Sequence, residues 1–68
     1  MSDVKEKVAT FLRANKDMAF TTSEISEAIE EKKTTVNNKL LELESEDKVV
    51  RAVYDGLIHN SWKNNWSE

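Results

Sequence analysis

Val4, Val8, Phe11 and Leu12 stand at i, i+4, i+7 and i+8. Spaced so, they make one apolar stripe on an α-helix, which predicts a helix over about residues 3–15 with Asp3 as its cap. The pattern breaks at "NKDMAF" and restarts in "FTTSEISEAI". There Thr21 is placed as an N-cap, and Glu24 three residues on completes a capping box. In that arrangement each side chain satisfies a backbone N–H that the first helical turn leaves free. Phe20 and Ile25 occupy the two positions of a hydrophobic staple. A short second helix follows, ending near Glu31, with Ile25, Ala28 and Ile29 as its buried face. Val36, Leu40 and Leu43 then repeat at i, i+4 and i+7, which predicts a third helix starting near Lys33 or Thr34. At about 100° per residue, Thr34, Asn38 and Ser45 point away from that stripe, with Asn37, Leu41 and Glu42 on either side.

The period drops to two in "VVRAVYDGLIHNSW". Asp-Gly between apolar runs is a strong hairpin signal, because a type I′ turn needs positive φ at both central residues. With Asp55-Gly56 as the loop, Tyr54 faces Leu57, Val53 faces Ile58 and Val49 faces Trp62. Val49, Val53, Ile58 and Trp62 then share one face, read as the core side. A brief strand near 18–20 can add a third strand. The expected fold class is α+β, three helices and then a hairpin. One domain covers 1–63, and 64–68 form a short C-terminal tail.

Composition narrows the chemistry. A chain of 68 residues holds one small core. It has no cysteine, so disulfides, zinc–thiolate sites and thiol nucleophiles are excluded. No apolar run approaches the roughly 20 residues of a membrane span, and the start of the chain has no signal-peptide-like segment. No membrane partner is expected, and a cytoplasmic location fits. The net charge is −3, from 10 Lys and Arg against 13 Asp and Glu. That balance argues mildly against non-specific binding to nucleic acid, although a local basic face can still act through its own field.

The segment "FTTSEISEAIEEKKTTVNNKLLELESEDKVVRAVYDGLIHNSWK" resembles the winged helix-turn-helix superfamily over nearly the whole chain. The matching positions are Thr21, Glu24, Ile25, Ile29, Thr34, Thr35, Val36, Leu40, Leu43, Val49 and Trp62. Asp47 stands where that superfamily usually has glycine after the third helix, and Asp can adopt the left-handed conformation at some cost. The resemblance implies three helices with a β-hairpin wing and, in DNA-binding members, a third helix in the major groove. Two narrower likenesses also appear. Lys33, Asn37, Trp62 and Lys63 are similar to positions of the Z-DNA-binding domains, but Leu41 replaces their helix tyrosine and their wing prolines are absent. Lys5, Lys7, Val8, Phe11 and Leu12 are similar to the start of the small winged-helix protein associated with dissimilatory sulfite reductase, which acts through an enzyme partner.

The candidate DNA-binding residues are Lys32, Lys33, Thr34, Thr35, Asn37, Asn38 and Lys39 on the third helix, with Arg51 and Lys63 on the hairpin. Asn pairs bidentately with adenine N6 and N7, while Lys and Thr suit phosphates. The plain alternative is a solvated helix start. His59, the sole histidine, also lies on the hairpin, where it could contact a backbone or serve as surface charge. The acidic second helix, with Glu24, Glu27, Glu30 and Glu31, is either a solvated face or a surface for a basic partner. Leu41 and Trp66 are candidate partner-binding residues, and Trp62 is expected in the core. Glu42 lies one turn beyond Asn38, where it either reads a cytosine amino group or marks a helix that does not bind DNA.

No Ser/His/Asp grouping, glycine-rich phosphate loop or metal-ligand spacing appears, so no catalytic residue, metal site or cofactor is expected. The reading is a sequence-specific DNA-binding protein, a small transcriptional regulator that contacts double-stranded DNA and forms a homodimer. The alternative is a winged-helix module that binds a protein partner and regulates it or its enzyme complex.

Overall fold

A computed structural model describes residues 3–63. The elements run α1 (Val4–Ala14), β1 (Phe20–Thr21), α2 (Thr22–Ile29), α3 (Lys33–Ser45), β2 (Val49–Tyr54) and β3 (Leu57–Trp62). The described residues therefore form a small α+β fold of three helices and a three-stranded antiparallel sheet, ordered β1-β3-β2. No helix among them is long and apolar enough to cross a membrane.

Local signals set the element boundaries. The Asp3 carboxylate accepts from the backbone N–H groups of Lys5 and Glu6, which caps α1. The capping box of α2 is formed in both directions: Glu24 N–H donates to Thr21 Oγ1 at 3.1 Å and Thr21 N–H to Glu24 Oε1 at 2.9 Å. Glu30 ends α2 in the left-handed region, φ 59°. Asp47 takes the left-handed conformation after α3, φ 66°, where glycine would be unstrained. The hairpin closes through Asp55 and Gly56, both at positive φ, as a type I′ turn requires. Its register pairs Tyr54 with Leu57, Val53 with Ile58 and Val49 with Trp62.

The core is Val8, Ala9 and Leu12 of α1, Ile25 of α2, Val36, Leu40 and Leu43 of α3, and Val49 of β2. Val4, Phe11, Phe20, Ile29 and Trp62 pack around it. Phe11 and Phe20 stack with ring centroids 4.9 Å apart, and the Arg13 guanidinium lies 5.5 Å from the Trp62 ring centroid. Trp62 is thus partly buried at the edge of the core.

Two expected core assignments are corrected. Ala28 is exposed and Ser26 is buried instead. The buried face of this short helix is centred on Ile25, Ser26 and Ile29, and the Ser26 hydroxyl is satisfied by the Ser23 carbonyl at 3.0 Å. Val53 and Ile58 share the helix-side face as expected, but they are 65% and 45% exposed. The hairpin runs past the helical layer. Val49 and Trp62 pack on the core, Arg51 and Asn60 form the next rung, and Val53 and Ile58 project beyond it.

Candidate nucleic-acid interface

Asn37, Leu41 and Glu44 lie at i, i+4 and i+7 on the flank of α3 that faces the hairpin. Arg51 reaches this flank from β2. Its Nη2 donates to Asn37 Oδ1 at 2.9 Å and its Nε to Asn60 Oδ1 at 2.8 Å. Asn60 is fully buried and its Nδ2 donates to the Phe20 carbonyl at 3.0 Å. Burying a polar side chain between a sheet and helices is costly unless its hydrogen bonds are made. Here a single chain of bonds runs from β1 through β3 and β2 to α3.

Two shallow grooves meet at Asn37. One is lined by Thr22, Lys33, Thr34, Asn37 and Asn38. The other lies between the start of α2, α3 and the hairpin loop, lined by Thr22, Ser23, Asn37, Arg51, Leu57 and Ile58 among others. Lys32, Lys33, Thr34 and Asn38 are exposed. No carboxylate of the described residues is within ion-pair distance of Lys32 or Lys33. Lys32 is the N-cap of α3 and makes no side-chain cap, so the first-turn N–H groups stay available beside these lysines.

Several expected site residues stand elsewhere. Thr35, Lys39, Glu42 and Glu46 lie at i, i+4, i+7 and i+11, on the opposite flank, toward α1. Lys39 lies 3.5 Å from Glu42. Lys5 of α1 binds Glu46 and stands 3.7 Å from Glu42. The hydrogen bond with Lys5 holds the Glu46 carboxyl below its ordinary range against the opposing effect of desolvation. The same bond raises the Lys5 ammonium. Glu42 stays one turn from Asn38 and half exposed, with its charge shared between Lys39 and Lys5. Lys63 is tied to Asp47 at 2.7 Å. His59 faces the other side of the sheet from Arg51, edge-on to Tyr54 with centroids 5.4 Å apart. Trp66 lies outside the described residues.

Thr22, Ser23 and Asn60 were not singled out in the sequence. Thr22 and Ser23 read there only as the first residues of a capped helix. Asn60 carried a signal: in the hairpin register it sits opposite Arg51, on the same face as Val49 and Trp62.

A second surface feature is apolar. Tyr54, Leu57, Val53 and Ile58 at the outer end of the hairpin are all exposed, as is Leu41 on α3. On the far side of the sheet, Lys16, Asp17, Met18, Tyr54, His59 and Ser61 line part of an open hollow. Among the described residues, no group of three or more His, Asp or Glu side chains is placed to hold a metal. No protein-family model, curated protein or solved structure matches the chain.

Proposed function

We propose that this chain is a winged-helix DNA-binding domain, a small sequence-specific regulator that lays the N-terminal half of α3 in the major groove of duplex DNA. The hairpin from β2 to β3 is its wing. One observation carries the reading. Lys33, Thr34, Asn37 and Asn38 line one groove at the start of α3, no carboxylate of the described residues is within ion-pair distance of Lys32 or Lys33, and Glu42 and Glu46 lie within ion-pair distance of Lys5. Lysines and free helix-start N–H groups suit phosphates, and the asparagines suit base edges. With Lys39 and Lys63 engaged in ion pairs, about two or three phosphate contacts per chain remain, so log K falls against log salt with a slope of roughly −2 to −3. Amide chemical shifts during titration with a mixed-sequence duplex at low salt test this. Perturbation at residues 22–23, 32–38 and 56–58 is expected. A titration without shifts overturns the reading.

The outer end of the hairpin supports a second reading, a module that docks a protein. Val53, Tyr54, Leu57 and Ile58 are apolar where a phosphate-gripping wing would be basic, and the net charge is −3. Exposed apolar clusters of this kind mark contact surfaces. If this reading holds, a double Val53→Thr, Ile58→Thr variant abolishes association with a partner or a second copy while duplex binding by α3 is absent in both forms.

A further inference from the structure

Arg51 fixes which end of the Asn37 amide faces a ligand. A guanidinium has donors only, so the Asn37 group facing Nη2 at 2.9 Å must be the amide oxygen. The same logic holds one link back. The Phe20 carbonyl accepts from Asn60 Nδ2, which leaves Asn60 Oδ1 to accept from Arg51 Nε. Arg51 donates in both directions, to Asn60 and to Asn37, and as a donor-only group it forces the amide oxygen of each to face it. Asn37 Nδ2 has no partner among the described residues and is not sealed from solvent. Asn37 lines both grooves at the start of α3. Lys33, Thr34 and Thr22 line the first groove with it and Thr22, Ser23 and Arg51 the second, and no Asp or Glu lines either.

We infer that Asn37 is a donor-only contact that engages an acceptor group, namely guanine N7 and O6 or a phosphate oxygen, and does not read adenine. This rests on the proposal that α3 binds duplex DNA. Bidentate pairing with adenine needs the asparagine oxygen to accept from N6 while its nitrogen donates to N7. That oxygen is turned onto the part-buried Arg51, out of the side-by-side pose that adenine requires, while the nitrogen keeps its access to solvent. Guanine presents two acceptors on the same edge and asks only for donors, as does a phosphate. Arg51 is therefore a positioning residue for Asn37.

The test selects duplexes from a random pool with the wild-type chain and with Asn37→Asp and Arg51→Met variants, then measures affinity by fluorescence anisotropy. Asn37→Asp keeps an oxygen for Arg51, so the fold is retained, and it removes both outward donors. Its affinity is expected to drop on the order of tenfold or more. The Asn37 side-chain NH2 resonances of the wild type should move on binding. If the acceptor is guanine, 7-deazaguanine in the selected site weakens binding, and Arg51→Met accepts adenine where the wild type demands guanine. If it is phosphate, a methylphosphonate linkage weakens binding and 7-deazaguanine does not. Undiminished affinity of Asn37→Asp overturns the inference while leaving DNA binding intact. So does selection of adenine that is lost in Asn37→Asp. A wild-type chain that binds no duplex removes the DNA reading and this inference together.

Discussion

Arg51 and Asn60 face each other across the hairpin as a register pair, with Arg51 Nε 2.8 Å from Asn60 Oδ1. The pair is polar, yet it sits directly above the apolar rung of Val49 and Trp62. Asn60→Ala leaves the Arg51 Nε–H without a partner and removes the side-chain bond to the Phe20 carbonyl. We expect a loss of about 1–3 kcal/mol, the cost of stranding buried polar groups. Urea unfolding measures it, and an unchanged midpoint would show that the bonds contribute nothing net.

The α2 start makes an independent prediction. Thr21→Ala removes the hydroxyl that accepts from Glu24 N–H. Loss of an N-cap of this kind costs about 1 kcal/mol. Because Thr21 is also in β1, paired with His59, Thr21→Ser serves as the control that keeps the cap. Thermal melts should place Ser near wild type and Ala clearly below.

Lys5 and Glu46 predict a pH dependence. Glu46 is held below its ordinary value of 4.5 by its hydrogen bond to Lys5. A depressed carboxyl stabilises the fold above that ordinary value and loses the contribution as pH falls through the folded value. Lys5 is raised above 10.5 by the same bond. Its contribution is full below 10.5 and disappears as pH rises through the raised value. The melting-temperature gap between wild type and Lys5→Met should therefore be flat at neutral pH and close in acid. Both groups meet solvent, so the gap is small and shrinks further in about 1 M salt.

The lysines separate into free and engaged sets. Lys33→Met should reduce the salt slope of duplex binding by about 0.9, the signature of one lost phosphate contact. Lys63→Met should leave the slope unchanged, because its ammonium is committed to Asp47. Equal slopes for the two variants would contradict the assignment of the interface to the start of α3.

Much of the architecture could be read from the chain. The capping box, the Asp-Gly turn and the apolar spacings are local signals, and each fixed its element to within a residue or two. The hairpin register followed from the loop alone. What could not be read was where the helical layer stops. Strand alternation puts Val53 with Val49, but only the length and tilt of α3 decide that Val53 is left uncovered. The site was legible as a segment and not as a surface. Glu42 and Glu46 follow Asn38 closely in sequence, yet both lie within ion-pair distance of Lys5 of α1, contacts across 37 and 41 residues of chain, and Lys39 pairs with Glu42. Arg51 looked like a wing cation free to grip phosphate. The same alternation that placed Val49 inward also placed Arg51 and Asn60 inward, and following it through would have paired them.

The run of hydrogen bonds from Phe20 to Asn37, with Arg51 donating to both sides, ties events at the helix surface to the smallest strand of the sheet. Hydrogen bonds in series polarise one another. An acceptor that draws on the outward N–H of Asn37 makes its oxygen a stronger acceptor for Arg51, and because one guanidinium supplies both bonds, Arg51 Nε then donates less strongly to Asn60. β1 is only two residues long, and it would feel the last of these changes. Occupancy at α3 would then be registered as faster amide exchange in β1 and its partner residues on β3, at the opposite edge of the sheet from β2.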